Sequence, residues 1–111
     1  MSPDEYVNKL QQKGYNCTQI VLLFFAEKYG LDESIALKIS QGFAKGMYIG
    51  SNCGVRSGAY MVLGLAYGNS DKQVLKTKIN EFNNEFKKLS IYDDCDDILQ
   101  YNLLYVNRLI S

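Results

Sequence analysis

The chain has 111 residues, 47% of them apolar, with 12 basic and 12 acidic side chains and a net charge of zero. That length suits one helical domain over 1–111 with its own core, and the apolar share argues against disorder. Balanced charge leaves no basic field for nucleic acid or an anionic membrane, and the absence of histidine rules out Ser-His and Cys-His catalysis.

Ser2-Pro3-Asp4-Glu5 opens the first helix, with serine as N-cap, proline at the first helical position and glutamate completing a capping box. Tyr6, Val7 and Leu10 form a narrow apolar stripe, and Gly14 ends this surface helix. Nothing at this terminus has the basic and apolar regions of a signal peptide. Asn16 is the next N-cap, with Cys17 as the first helical residue of a segment running to Tyr29. Its run from Ile20 to Ala26 is apolar on nearly every side, which predicts a central, buried helix stopped by Gly30. Asp32 caps a third helix from Glu33 to about Phe43, in which Ile35, Ala36, Ile39 and Phe43 recur at helical spacing.

A glycine-punctuated stretch follows, with Gly46, Gly50, Cys53, Gly54, Arg56 and Gly58. It delivers Cys53 to the start of a fourth helix that continues to about Tyr67 and ends at Gly68 as C-cap. A helix start carries unpaired N–H groups and about half a positive charge. That end stabilises a thiolate, the nucleophilic and metal-binding form of cysteine. Arg56 adds a full charge if its side chain folds back, and Gly54 and Gly58 share one helix face that a second backbone can approach. The stretch lacks the lysine-serine pair of a P-loop and the dinucleotide fingerprint.

Asn69 or Ser70 caps an amphipathic outer helix, Asp71 to Leu89, in which Val74, Leu75, Ile79, Phe82, Phe86 and Leu89 step by threes and fours. A short helix is expected from Asp93 or Asp94, and a last apolar segment from Leu103 to Ile110. The longest apolar runs are far too short to span a bilayer. The expectation is an all-α bundle of five to six helices, soluble and cytoplasmic, with two central apolar helices that each start near a cysteine.

Short connections favour antiparallel neighbours. The two central helices are then parallel, and Cys17 and Cys53 stand at the same end of the bundle. The next descent returns Cys95 to that end as well. Taken singly, a cysteine on an apolar helix is a small buried hydrophobe as often as a reactive group. Cys53 stands apart, because a position between Gly50 and Gly54 makes no packing demand for sulfur. Cys95 lies among four aspartates, which oppose its ionisation and suit it to an accessory role.

Asn16-Cys17-Thr-Gln, the glycine-rich segment, Cys53-Gly54-Val55-Arg56-Ser57-Gly58 and Cys95 before Asp-Ile-Leu together resemble the family named for its C_GCAxxG_C_C cysteine pattern. The likeness covers about residues 14 to 100. Val55 stands where alanine is usual, and three of the four family cysteines are present, with Asn102 a candidate for the missing place. The resemblance implies an all-helical protein that is redox-active through its cysteines, often encoded near transporters.

Three functions compete. In thiol redox chemistry Cys53 attacks, Cys17 resolves and Cys95 assists, with a redox partner protein or a transporter-associated protein as the other reactant. In a metal site Cys17, Cys53 and Cys95 hold Zn²⁺ or an iron–sulfur centre, with Asp93, Asp94, Asp96 or Asp97 supplying an oxygen. In a helical interaction module, with a homodimer as one form, the cysteines are core and no cofactor is needed.

Overall fold

In a computed structural model, the described residues form six α-helices in chain order: α1 Pro3–Gln12, α2 Cys17–Ala26, α3 Glu33–Gln41, α4 Gly54–Tyr67, α5 Lys72–Leu89 and α6 Cys95–Leu109. The structure describes the backbone of residues 3–43, 54–89 and 95–110 and the side chains of 5–43, 54–88 and 99–110. No strand occurs among the described residues, so the chain is all-α. None of the described helices is long and apolar enough to cross a membrane.

Local chemistry sets the helix ends. At the start of α2, Asn16 Oδ1 accepts the Gln19 N–H at 2.9 Å and Gln19 Oε1 accepts the Asn16 N–H at 3.0 Å. This reciprocal capping box satisfies two N–H groups, one of them a donor that the helix leaves over at its N-terminus. The other end of α2 tightens into a 3-10 turn, Glu27–Tyr29, and stops at Gly30, whose φ of 67° is left-handed. A residue without a Cβ adopts that conformation at no steric cost. Asp32 caps α3 as expected, its Oδ2 accepting the Ile35 N–H at 3.0 Å.

Four boundaries or faces differ from the sequence expectation. Helix α3 ends at Gln41 rather than near Phe43. Helix α5 begins at Lys72, and its start is held by Asp71, whose Oδ1 accepts the Gln73 N–H at 2.8 Å, rather than by Asn69 or Ser70. Helix α6 is one continuous element from Cys95, not a short helix followed by a separate segment. The polar Asn102 marks no break, because it is 1% exposed and shares the buried stripe of Leu99, Leu103 and Val106. In α3 the face is turned: Ile35 and Ile39 are 52% and 50% exposed, while Ala36 and Ser40 are fully buried. Small inner residues let α3 lie close to α2, and the buried Ser40 hydroxyl is satisfied by the Ala36 carbonyl at 2.6 Å.

The core is one contiguous cluster centred on α2 and α4, with Ile20, Val21, Leu22 and Phe25 facing Val55, Ala59, Val62 and Leu63. Helix α1 adds Val7 and Leu10, so its narrow stripe is buried although the rest of the helix is largely exposed. Helix α5 closes the other side with Phe82 and Phe86, and α6 with Leu99, Leu103 and Val106.

Contacts along the helices give their directions. Arg56 and Tyr60 bond Asn83, while Lys78 lies over Tyr67, so α5 is antiparallel to α4. Tyr101 bonds Glu85 and Tyr105 bonds the Glu81 carbonyl, so α6 is antiparallel to α5. Helix α6 therefore runs parallel to α4, and the Tyr67 hydroxyl joins their C-terminal ends by donating to the Leu109 carbonyl at 2.6 Å.

Candidate functional site

Helices α2 and α4 approach each other closely at the cysteine end. A Cβ placed on Gly54 would stand 3.2 Å from Cys17 Cβ and 2.8 Å from Thr18 Oγ1. One turn on, a Cβ on Gly58 would stand 2.7 Å from Val21 Cβ and 3.1 Å from the Thr18 carbonyl oxygen. Contacts thus advance along both helices together, which makes α2 and α4 parallel, as the up-down reasoning expects. The two glycines let the backbones meet, and the first of them lies directly against Cys17.

Cys17 is the first residue of α2, half-buried and packed against the core. Behind it, Thr18 is fully buried, and its hydroxyl faces two carbonyl oxygens: Phe43 at 3.2 Å and Gly54 at 3.0 Å. Gln19, 6% exposed, donates from Nε2 to the Leu37 carbonyl at 3.2 Å and to Gln41 Oε1 at 2.8 Å. Its Oε1 is the one engaged in the capping box. Two polar side chains next to Cys17 therefore bind α2 to the end of α3 and the start of α4. Sequence reasoning missed both, since a Thr-Gln pair at the head of an apolar helix reads as its solvated first turn.

Arg56 does not fold back toward the start of α4. Its Nε donates to Asn83 Oδ1 at 3.1 Å and its guanidinium lies over the Phe86 ring, 5.2 Å from the centroid. The cation is held on the α5 side by a hydrogen bond and by the ring's electron-rich face. Any electrostatic help to a thiolate at this end then comes from the helix starts rather than from Arg56.

Cys95 is the first residue of α6, and the parallel course of α4 and α6 puts that helix start at the same end as Gly54. The side chains of Cys95, Asp96 and Asp97 lie outside the described residues, as do Gly46, Gly50, Cys53, Asp93 and Asp94 entirely. Among the described residues no three acidic or cysteine side chains gather as metal ligands. The three-cysteine ligand set expected from the sequence extends beyond them.

A cleft of about 730 Å³ opens elsewhere, between α1 and the turn from α2 to α3. Lys9 and Lys13 face Glu27, Asp32 and Glu33 across it, and none of Cys17, Thr18 or Gly54 lines it. It is a separate surface from the thiol end.

The family described as "Putative redox-active protein (C_GCAxxG_C_C)" matches residues 15–108. No curated protein and no solved structure matches the chain. The matched span takes in Cys17, Cys53-Gly54, Gly58 and Cys95, together with all of the helices α2 to α5, and the chain belongs to the C_GCAxxG_C_C family.

Proposed function

We propose that this protein carries out thiol–disulfide exchange, cycling Cys17 and Cys53 between dithiol and disulfide, with Cys95 as an accessory thiol. The observation that supports this most directly is the packing of Gly54 on Cys17. Cys53 is joined to Gly54 by a single peptide bond, which keeps their α-carbons about 3.8 Å apart. A disulfide needs α-carbons roughly 4.4–6.8 Å apart, and one residue's reach from the Cys17 contact is compatible with that span. Cys17 opens α2, and Cys53 directly precedes the first residue of α4 in the sequence; peptide dipoles at a helix start favour the thiolate.

The cycle balances with a disulfide-bearing partner. The Cys53 thiolate attacks one partner sulfur; the partner S–S bond breaks and its other sulfur leaves as a thiolate that takes up a proton. The Cys17 thiolate then attacks Cys53 Sγ, and the second partner sulfur leaves and is protonated. The two cysteines lose two electrons and two protons in all, and the partner gains them. The reverse sequence reduces the chain.

A metal centre is the second reading, because α6 starts at the same end and brings a third cysteine there. Cys17, Cys53 and Cys95 would be its thiolate ligands, for Zn²⁺ or an iron–sulfur cluster.

Purification without reductant or chelator, followed by thiol counting in the denatured chain and metal analysis, separates the two. One thiol, no metal and a mapped Cys17–Cys53 peptide pair is the expected result, retained by Cys95→Ser. Three thiols with about one metal per chain would replace the redox reading with coordination. Three thiols and no metal, persisting after exposure to oxidised glutathione, would overturn both.

A further inference from the structure

We infer that Thr18 is the positioning residue of the Cys17–Cys53 pair, an inference that rests on the redox reading above. Its single hydroxyl proton is shared between the carbonyl oxygens of Phe43 and Gly54, at 3.2 and 3.0 Å. Those two residues flank 44–53, the segment that carries Cys53. One fully buried side chain thus ties together the backbone on both sides of the attacking cysteine, and it does so from the position adjacent to the resolving cysteine.

The choice of residue fits the task. A hydroxyl is small enough to sit beneath Gly54, where a Cβ would come within 2.8 Å of it. It is also the only polar group that the Thr18 side chain can offer, and both part-buried carbonyls take a bond from it. Removing it takes this donor from both carbonyls and loosens the join between the start of α2 and the two backbone points that flank 44–53. A pair held at bonding distance forms its disulfide with a higher effective concentration than a pair that has to be brought together. Loss of the hydroxyl therefore makes the disulfide easier to reduce, over and above any loss of fold stability.

The test is an equilibrium titration of the full chain in glutathione buffers, with the disulfide fraction read by thiol trapping, on wild type, Thr18→Val, Thr18→Ala, Thr18→Ser and Tyr67→Phe. Thr18→Val keeps the shape and loses the hydroxyl; Thr18→Ala is the smaller change should the valine variant not fold. Tyr67→Phe removes the hydroxyl that joins the other end of α4 to Leu109, and so weakens the same helix far from the thiols. Melting temperatures are recorded for all five.

The expected result is a tenfold or larger shift of the thiol–disulfide constant toward the dithiol in Thr18→Val and Thr18→Ala, about 30 mV for a two-electron couple. Thr18→Ser should stay within twofold of wild type, and Tyr67→Phe should lose thermal stability with its midpoint unmoved. Equal midpoints in Thr18→Val, Thr18→Ala and Tyr67→Phe would overturn the positioning role while leaving the redox reading intact. A wild-type chain that forms no Cys17–Cys53 disulfide in any buffer would overturn both.

Discussion

Gly58 and Val21 meet so closely that a Cβ on the glycine would stand 2.7 Å from Val21 Cβ. Val21 is fully buried and has no free direction in which to give way, and the Thr18 carbonyl oxygen bounds the same space at 3.1 Å. Gly64, six residues further along α4, has nothing within 4 Å of the corresponding position. The same substitution should therefore have opposite signs within one helix. Gly64→Ala gains helix propensity of about 1 kcal/mol with no clash. Gly58→Ala gains the same propensity but forces apart the close α2–α4 contact, and overpacking of that kind costs about 1–3 kcal/mol. Chemical denaturation should find Gly64→Ala more stable than wild type and Gly58→Ala less stable, by up to about 2 kcal/mol once the propensity gain is subtracted. Adding Val21→Ala to Gly58→Ala should recover part of the loss, so the two changes are less than additive. A destabilised Gly64→Ala, or a neutral Gly58→Ala, would contradict this account of the α2–α4 contact.

The start of α2 depends on two residues that act on each other. Asn16→Ala removes the acceptor for the Gln19 N–H and should cost about 1 kcal/mol, the usual loss for a deleted N-cap. Gln19→Ala should cost more. It removes the return bond to Asn16 and both bonds to α3, at Leu37 and Gln41, and it leaves space where a nearly buried side chain had been. The pair should be coupled, with the double variant losing less than the sum. Urea titration of the three variants measures this, and strict additivity would mean that the box is not cooperative.

On the opposite side of α4, Asn83 Oδ1 accepts two bonds at once, from Arg56 Nε at 3.1 Å and from the Tyr60 hydroxyl at 2.9 Å. Asn83→Ala strands both donors and should lower stability by about 1 kcal/mol, a moderate figure because Tyr60 is partly open to water. Asn83→Asp supplies an oxygen in the same place and adds a charge attractive to Arg56, so it should be neutral or stabilising. Should Asn83→Asp prove as damaging as Asn83→Ala, acceptance at Oδ1 is not what the site requires.

Much of the helical framework was legible because caps and stops are short-range chemistry. Asn16 ahead of Cys17, Gly30 at a left-handed stop and Asp32 ahead of Glu33 each act within four residues, and each appears where the pattern put it. Parallel α2 and α4 followed from the short connections, and their close approach from the Gly54/Gly58 face. The features that were not legible depend on what lies across the chain. The spacing in α3 is helical for Ile35 and Ile39 and equally for Ala36 and Ser40, and only contact with α2 decides which row turns inward. That Asn102 is a core position shows only when its neighbours on α6 prove to be core. Arg56 had two courses open, and Asn83 and Phe86, on another helix, decide between them. Thr18 was invisible as a junction because its partners, Phe43 and Gly54, are backbone carbonyls that no side-chain pattern records.

Tyr6 makes alkaline pH informative. Its ring packs edge-on against Phe24 with centroids 5.1 Å apart. Burial, with a smaller contribution from the Glu33 carboxylate, pushes its phenol up from 10.0 to about 12. The folded chain therefore holds this proton more tightly than the unfolded chain does. The sign follows from proton linkage. Below pH 10 both states keep the proton, and the contribution to stability is constant. Between pH 10 and about 12 the unfolded state releases it first, so unfolding becomes progressively easier. Tyr101, which donates to Glu85 at 3.0 Å, and Tyr105 are raised too and act in the same direction. Tyr6→Phe keeps the ring contact with Phe24 and has no proton to lose. Denaturant titrations at stepped pH should show wild type losing stability across that window and Tyr6→Phe losing distinctly less, with equal slopes below pH 10. Parallel curves through the whole range would mean that the Tyr6 hydroxyl ionises in the folded chain as it does in water.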